Sequence, residues 1–117
     1  MIRRRGEIWL ADLNPPRGTE PGKTRPVVIV QAQALLDAEH PSTLVVPLTT
    51  RLVDDAEPLR IRIEAAGRVK KDSDALVDQV RAIDNRRLVQ GPLARLRSEQ
   101  LDALAHALLE VLDLPGA

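Results

Sequence analysis

Cysteine is absent from the 117 residues, which leaves no basis for a disulfide framework or a cysteine-ligated zinc site. A chain without cysteine fits a reducing compartment, and we expect a cytoplasmic location. Long hydrophobic runs are also missing, so no segment approaches the length of a membrane span. The basic residues at positions 3–5 are not followed by the apolar stretch of a signal peptide. The sequence therefore predicts a soluble protein that does not associate with a membrane.

Aromatic residues and net charge are scarce as well. Trp9 is the only aromatic residue, so the core must be built from Val, Ile, Leu and Ala. A nucleic-acid site made of stacked aromatic rings is excluded for the same reason. The 17 basic and 17 acidic residues cancel, and bulk charge gives no argument for nucleic-acid binding. Only the local distribution of charge gives one, because basic residues crowd the first quarter of the chain.

The residues that carry chemistry are concentrated in positions 6–30. Two apolar, β-branched runs flank a segment rich in Gly, Pro, Asn and Thr there, which predicts two strands joined by a long loop. The loop and its end carry charged and hydroxyl side chains at Arg17, Thr19, Glu20, Lys23, Thr24 and Arg25. Long loops on rigid strands often hold functional residues, and we expect such a role here.

The remaining pattern predicts several short strands and two helices. We expect strands over residues 6–13, 26–30, 42–50, 59–64 and 74–83, with Pro26 opening the second and Pro47 marking an edge or bulge in the third. The continuous apolar run at 26–30 is typical of a strand buried on both faces or at a subunit contact. Further expectations are a short helix or turn over 31–39, a helical turn over 84–88 capped by Asp84, at most a short strand within 89–96, and a helix over 99–113 capped by Ser98.

Two of these strands carry specific expectations about burial. In residues 59–64 the alternation places Leu59, Ile61 and Ile63 towards the core and the intervening charged residues, Arg60, Arg62 and Glu64, towards solvent. In residues 74–83 polar residues interrupt the apolar pattern, and a period of two sets Asp78 between Leu76 and Val80. We expect this carboxylate to be half-buried and hydrogen-bonded.

Strands with short connections followed by one long helix predict a single domain over residues 1–117. The fold class is mainly β, or α+β when the helix is counted. We expect a small β-barrel or a strongly twisted antiparallel sheet, with the C-terminal helix packed on it.

An ordered set of motifs covers nearly the whole chain: RGEIW at 5–9, NP at 14–15, GTE at 18–20, TRPVVIV at 24–30, PLTT at 47–50 and DQVRAID at 78–84. In this order and spacing they resemble the MazF/PemK toxins of bacterial toxin–antitoxin pairs. The resemblance implies an SH3-like barrel of the CcdB/PemK type that works as a homodimer. It also implies a sequence-specific endoribonuclease that cleaves single-stranded mRNA without metal or cofactor, and that a cognate antitoxin neutralises.

The implied reaction can be compared with the residue types. Attack of a ribose 2′-OH on the adjacent phosphate requires charge stabilisation on the phosphate and proton transfer at both oxygens. Arg25 can supply a charged, planar donor pair, and Thr49 can donate from its hydroxyl. By resemblance the catalytic residues are Arg25, Thr49 and, in second rank, Asp78, and no metal ligand is implied. The implied RNA-binding residues are Arg17, Thr19, Glu20, Lys23, Thr24, Thr50, Gln79 and Arg81.

Two positions depart from the pattern of some relatives. Those relatives have a His between the Gly and Glu of the loop and an Arg two residues before the later Asp. Here the corresponding residues are Thr19 and Leu76. Because Arg25 has a pKa far above neutral, it is a poor base. The sequence therefore leaves the general base unassigned.

Other interpretations of the same residues stay open. Arg25 could be a surface charge, Thr49 an ordinary strand residue, and Asp78 a structural carboxylate. Gln79 and Arg81 could lie in an interface. At the level of function, the alternative is a relative that poisons a topoisomerase, as CcdB-type toxins do. A catalytically decayed, purely structural dimer is a third possibility, against which the intact Arg25 and Thr49 argue.

Overall fold

The structure is a computed structural model that describes residues 2–20 and 22–116. Its elements follow the chain as β1 (Glu7–Asp12), β2 (Thr24–Ile29), α1 (Gln33–Asp37), β3 (Ser42–Thr49), β4 (Arg60–Ile63), β5 (Ser73–Leu76), β6 (Arg81–Asp84), β7 (Leu88–Arg95) and α2 (Ser98–Val111). Single 3₁₀ turns lie at Val77–Gln79 and Asn85–Arg87. Within the described ranges, neither helix has the length and apolar character needed to cross a membrane.

All strand pairs are antiparallel, and the strands form one seven-stranded sheet in the order β4-β5-β3-β2-β1-β7, with β6 also paired to β3. The predicted antiparallel sheet with a C-terminal helix is confirmed. The sheet is not closed into a barrel, because the terminal strands β4 and β7 do not pair. The segment after β4 approaches β7 instead, where the Arg68 N–H donates to the Leu93 carbonyl at 2.8 Å.

The central strands are buried on both faces, as the apolar run at 26–30 predicts. On one face Val28 and Val46 pack in a cluster that includes Leu104 and Ala107 of α2. On the other face lies a second cluster around Trp9, with Val27, Ile29, Val45 and Leu88 among its members. The two clusters hold β1, β2 and β3 as a rigid platform, and the candidate site lies at one end of it.

Of the two strand prolines, Pro26 lies at a different position from that expected and Pro47 at the expected one. β2 begins at Thr24, so Pro26 lies inside the strand, opposite Leu10 of β1, and does not open it. Pro47 lies opposite Val27 on one edge of β3. On the other edge β3 pairs with β6 up to Val45 and with β5 from Leu48 onward. Pro47 therefore falls where this edge changes partner, which agrees with the predicted irregularity.

The expected single strand over 74–83 is wrong. The chain forms β5, turns through Val77–Gln79 and continues as β6. Both strands pair with β3, at its two ends, so the chain between them has to turn to bring each segment alongside the same strand. Asp78 lies on that turn and is exposed, not half-buried. The buried carboxylate of this region is Asp74, whose side chain is 1% exposed.

Other boundaries also differ from the sequence predictions. Leu59 precedes β4 and is exposed instead of facing the core. Residues 88–95 form one eight-residue strand, because shifts in the register between β1 and β7 accommodate the Gly91–Pro92 pair. The α2 N-cap is Arg97, one residue before the predicted Ser98, and its N–H donates to the Gln100 side chain at 2.8 Å. The Asp84 cap is confirmed, since its carboxylate accepts the Arg86 N–H at 2.8 Å.

Candidate active site

The register of β2 and β3 brings the first two predicted catalytic residues together. The strands pair Ile29 with Val45 and Val27 with Pro47, and the same register continued by two residues sets Arg25 opposite Thr49. The two residues line one open cleft at the end of the platform. Its lining consists of Lys23, Thr24, Arg25, Pro26, Leu48, Thr49, Thr50 and Arg51. Four predicted site residues besides Arg25, namely Lys23, Thr24, Thr49 and Thr50, therefore lie around the same cleft.

Arg25 is held from two sides by backbone carbonyls. Its Nε donates to Gly22 at 2.9 Å and its Nη1 to Leu48 at 3.4 Å. Partial burial lowers the pKa of Arg25 below its ordinary value, yet an arginine stays protonated at neutral pH. In the described part of the chain these bonds use two of the five guanidinium N–H groups. The remaining donors suit the oxygens of a phosphate group.

Thr49 is half-buried at the end of β3, and its hydroxyl oxygen is held by a backbone N–H. The Arg51 N–H donates to Thr49 Oγ1 at 3.2 Å. Since this bond occupies an acceptor site of the hydroxyl, the O–H of Thr49 is available as a donor. Arg51 was not predicted as a site residue, although it follows the PLTT motif directly and lines the cleft.

The long loop between β1 and β2 is closed at its neck by backbone and side-chain bonds. The Leu13 N–H donates to the Lys23 carbonyl at 2.9 Å, and the Lys23 N–H donates to Asn14 Oδ1 at 2.8 Å. Arg87, from the distant 3₁₀ turn, donates through Nη1 to the carbonyls of Asp12 and Asn14 at 2.9 and 2.6 Å. Arg87 is a second residue that the motif comparison did not single out.

Gly22 links this neck to Arg25. A Cβ at this position would lie 2.6 Å from the Pro16 ring, so only glycine fits without a shift of the loop. The Gly22 carbonyl accepts the Arg25 Nε, and the tight packing therefore sets the direction of the guanidinium.

The other predicted site residues lie outside the cleft. Thr19, at the loop tip, lines a separate shallow depression together with Leu59, Arg60, Leu76, Asp78 and Gln79. Asp78 is thus among the residues that line this depression and not among those that line the cleft. Arg17 and Glu20 are exposed on the loop, joined by a turn in which the Glu20 N–H donates to the Arg17 carbonyl at 3.0 Å. Arg81 lies half-buried in β6, and its buried Nη1 has no hydrogen-bond partner among the described residues.

Comparison with known proteins bears on the family and the fold. Residues 4–112 match the family described as PemK-like, MazF-like toxin of type II toxin-antitoxin system. The chain belongs to this family. It is also 38% identical over 88 residues, 74% of this chain and 72% of the relative, to an endoribonuclease MazF of Staphylococcus saprophyticus.

The fold of this MazF-like toxin is shared with solved structures. A MazF structure from Deinococcus radiodurans matches with a TM-score of 0.80 and 21% identity, over 97% of this chain and 99% of that one. A MazE–MazF complex from the same organism matches with a TM-score of 0.74 and 18% identity, over 97% and 98%. At these identities the likeness shows the fold alone.

A buried ion cluster adjoins the cleft of this MazF-like toxin. The Asp74 carboxylate accepts hydrogen bonds from Arg62 Nε at 2.6 Å, the Val53 N–H at 2.8 Å and Arg60 Nη1 at 3.2 Å. Burial by itself would raise the pKa of Asp74, but these three donors outweigh it and hold the pKa below its ordinary value. Alternation predicts Arg60 and Arg62 as solvent-facing, and it cannot show that a neighbouring strand offers them a buried partner.

Proposed function

We propose that this MazF-like toxin is a sequence-specific endoribonuclease that cuts single-stranded mRNA by attack of a ribose 2′-OH on the adjacent phosphate, without metal. The observation that carries the proposal is the meeting of Arg25 and Thr49 in one cleft, through the register of two strands. Family membership and the 38% identical MazF endoribonuclease support it.

In the proposed reaction a bond forms between the 2′ oxygen and phosphorus, and the bond from phosphorus to the 5′ oxygen breaks. The 2′-OH loses its proton, the departing 5′ oxygen gains one, and the products are a 2′,3′-cyclic phosphate and a 5′-OH. Arg25, charged at neutral pH, stabilises the additional negative charge on the phosphate oxygens. Thr49 supplies a neutral hydroxyl donor to the same group.

We place Asp78 among the residues that contact RNA outside the reacting phosphate, because it lines the depression and not the cleft. Thr19 and Gln79 share that depression, and an amide beside a carboxylate can bond the edge of an unstacked base. Lys23, Thr24 and Thr50 border the reacting phosphate. The remaining proposed RNA contacts are Arg17, Glu20 and Arg81.

The proposal includes partners and a location. We propose that the chain acts as a homodimer in the cytoplasm and that a cognate antitoxin blocks it. The membership of the family in type II toxin–antitoxin systems supports an antitoxin partner, and the Deinococcus radiodurans relative of the same fold has been seen in complex with MazE.

The decisive experiment is incubation of the purified protein with a long single-stranded transcript in EDTA. We expect discrete cuts, each leaving a 2′,3′-cyclic phosphate. The Arg25→Ala variant should lose activity by about 10³-fold or more, because it removes a fixed donor group from the transition state, and circular dichroism should show an intact fold. Absence of cleavage across several unrelated transcripts would overturn the proposal.

The same variant separates the topoisomerase alternative from the nuclease. A toxin that acts by binding a topoisomerase does not need Arg25 for chemistry, so growth arrest on expression would survive Arg25→Ala. If the chain is a nuclease, growth should recover when Arg25→Ala is expressed in place of the wild type.

A further inference from the structure

The Asp74 cluster lies next to the cleft, across the pairing of β5 with β3. Asp74 is opposite Thr49 in the pairing of β3 with β5 and opposite Arg62 in the pairing of β4 with β5. One carboxylate oxygen, Oδ2, accepts both the Val53 N–H and Arg60 Nη1, whereas Oδ1 accepts Arg62 Nε. The carboxylate thus connects β5, the strand next to Thr49, with the segment that follows Thr49 in the chain.

Arg60 holds the same segment at a second point. Its Nη1 also donates to the Arg51 carbonyl at 2.8 Å. The N–H of Arg51 is the group that bonds the Thr49 hydroxyl at 3.2 Å. A continuous path of contacts therefore leads from the buried carboxylate through Arg60 and Arg51 to Thr49 Oγ1.

Stability alone gives a poor account of this cluster. The Asp74 side chain is 1% exposed and loses its hydration, whereas Arg60 and Arg62 stay 26% and 37% exposed. Ion pairs of this kind largely offset the cost of burying the carboxylate and add little net stability compared with well-packed apolar residues. The donors around Asp74 include the backbone of residue 53, and Arg60 reaches the backbone of residue 51, so the contacts converge on residues 51–53, of which Arg51 lines the cleft. Arg60 also lines the depression beside Asp78, and its link to the cleft is the bond to the Arg51 carbonyl.

We propose that Asp74 and Arg60 are positioning residues, which fix residues 51–53 so that the Thr49 hydroxyl keeps its donor side towards the cleft. The inference rests on the proposed endoribonuclease function. Neither side chain touches the reacting phosphate in this proposal. Their effect is transmitted through the backbone of Arg51.

The first test compares Asp74→Asn with Asp54→Asn. Each change removes one carboxylate from Arg62, which bonds Asp54 through Nη2 at 2.8 Å, but Asp54 is exposed and makes none of the Asp74 contacts to residue 53. Single-turnover cleavage of a transcript containing a mapped site should slow about 10- to 100-fold for Asp74→Asn, the range that small misplacements of a catalytic group produce. Asp54→Asn should cleave at the wild-type rate.

Binding separates positioning from general damage. The dissociation constant for an RNA with a 2′-deoxy nucleotide at the mapped cleavage position should change by less than about threefold, since the RNA contacts stay in place. Arg60→Lys is the second variant should Asp74→Asn fail to fold, because lysine keeps the positive charge beside Asp74 but loses the planar donor group. It is scored on cleavage rate and amide exchange and not on affinity, since Arg60 lines the depression proposed to contact RNA. Equal rates for wild type and both variants, or an equal loss in Asp54→Asn, would overturn the proposal.

Hydrogen exchange provides a test that does not depend on cleavage. In Asp74→Asn the amides of Arg51 and Val53 should exchange faster, while those of the central strands keep their wild-type rates. Unchanged exchange at both amides would contradict the positioning role even if the protein cleaves RNA. If the exchange changes but the wild-type protein cuts no RNA, the proposed function fails and the local contact network stands.

Discussion

The cleft and the depression are built in different ways. Arg25 and Thr49 lie on strands whose register is fixed by three consecutive pairs of buried residues, between Val27–Ile29 and Val45–Pro47. Asp78 and Thr19 lie on a 3₁₀ turn and a loop tip, and both are exposed. The positions of the cleft residues are fixed by strand pairing in the core. The positions of the depression residues depend instead on the conformations of a loop and a 3₁₀ turn.

This difference implies separate tasks for the two parts. Proton transfer and charge stabilisation at a phosphate need donors fixed within a fraction of an ångström. Recognition of a single-stranded base tolerates adjustment of loops and relies on several weak contacts. The comparison therefore predicts large losses of rate for changes in the cleft and small losses for changes in the depression.

Among conservative changes in the two parts, the largest effect should come from Arg25→Lys. Lysine keeps the charge but cannot bond the Gly22 and Leu48 carbonyls while offering two parallel donors to a phosphate. We expect the single-turnover cleavage rate to fall about 10²- to 10³-fold, which is the loss typical of removing a preorganised donor.

Arg86→Lys is the control for Arg25→Lys. Arg86 is an exposed arginine paired with Asp84 at a distant turn, and its substitution should leave the rate unchanged. A similar loss in the two variants would show that the assay reports overall folding, not the cleft.

The cleft was largely predictable from sequence. The runs at 26–30 and 42–50 are apolar and β-branched, which predicts two buried strands, although a run that is apolar on both faces does not by itself specify the register. Motif resemblance then singled out Arg25 and Thr49. The Arg51 N–H that orients the Thr49 hydroxyl could not be predicted, because it depends on the turn geometry after β3.

A small effect should follow from Asp78→Asn. The side chain is exposed and lies outside the cleft, so we expect a loss of cleavage efficiency of less than about tenfold, expressed mainly in substrate affinity. The measurement is the single-turnover rate as a function of enzyme concentration, which separates the maximal rate from the half-saturation point. If the maximal rate instead falls as low as that of Arg25→Lys, Asp78 is a catalytic residue. It would then reach the reacting phosphate in an arrangement of the chain other than the one described.

The depression and the Asp74 cluster were beyond prediction for a common reason. A period of two over residues 74–83 treats them as one strand, and it makes Asp78 the half-buried carboxylate. The real chain turns at Val77–Gln79 because β5 and β6 both pair with β3. That long-range constraint leaves no signal in the local sequence. As a result Asp74 is the buried carboxylate, and Asp78, predicted as half-buried, is exposed.

The smallest effect concerns acid stability and tests whether Asp74 acts as a buried anion. Its pKa in the folded state is lowered by Arg62, Val53 and Arg60 against the effect of burial. The folded state therefore binds a proton at Asp74 less readily than the unfolded chain does, where an aspartate has a pKa of about 3.9. The resulting stabilisation is complete above that pH and is lost as the pH falls towards the lowered value. The free energy of unfolding in urea, measured from pH 6 to pH 3, should decline more steeply for wild type than for Asp74→Asn, and the two curves should converge in acid.

Asp84 is the control, because its pKa is also lowered, to about 2, by the side chain and N–H of Arg86, but it is exposed. In 1 M salt the screening length is on the order of 3 Å. The smaller contribution of Asp84 to the free energy of unfolding should vanish there, whereas the contribution of Asp74 should persist. Parallel curves for wild type and Asp74→Asn would mean that the carboxylate is not held as an anion in the folded protein.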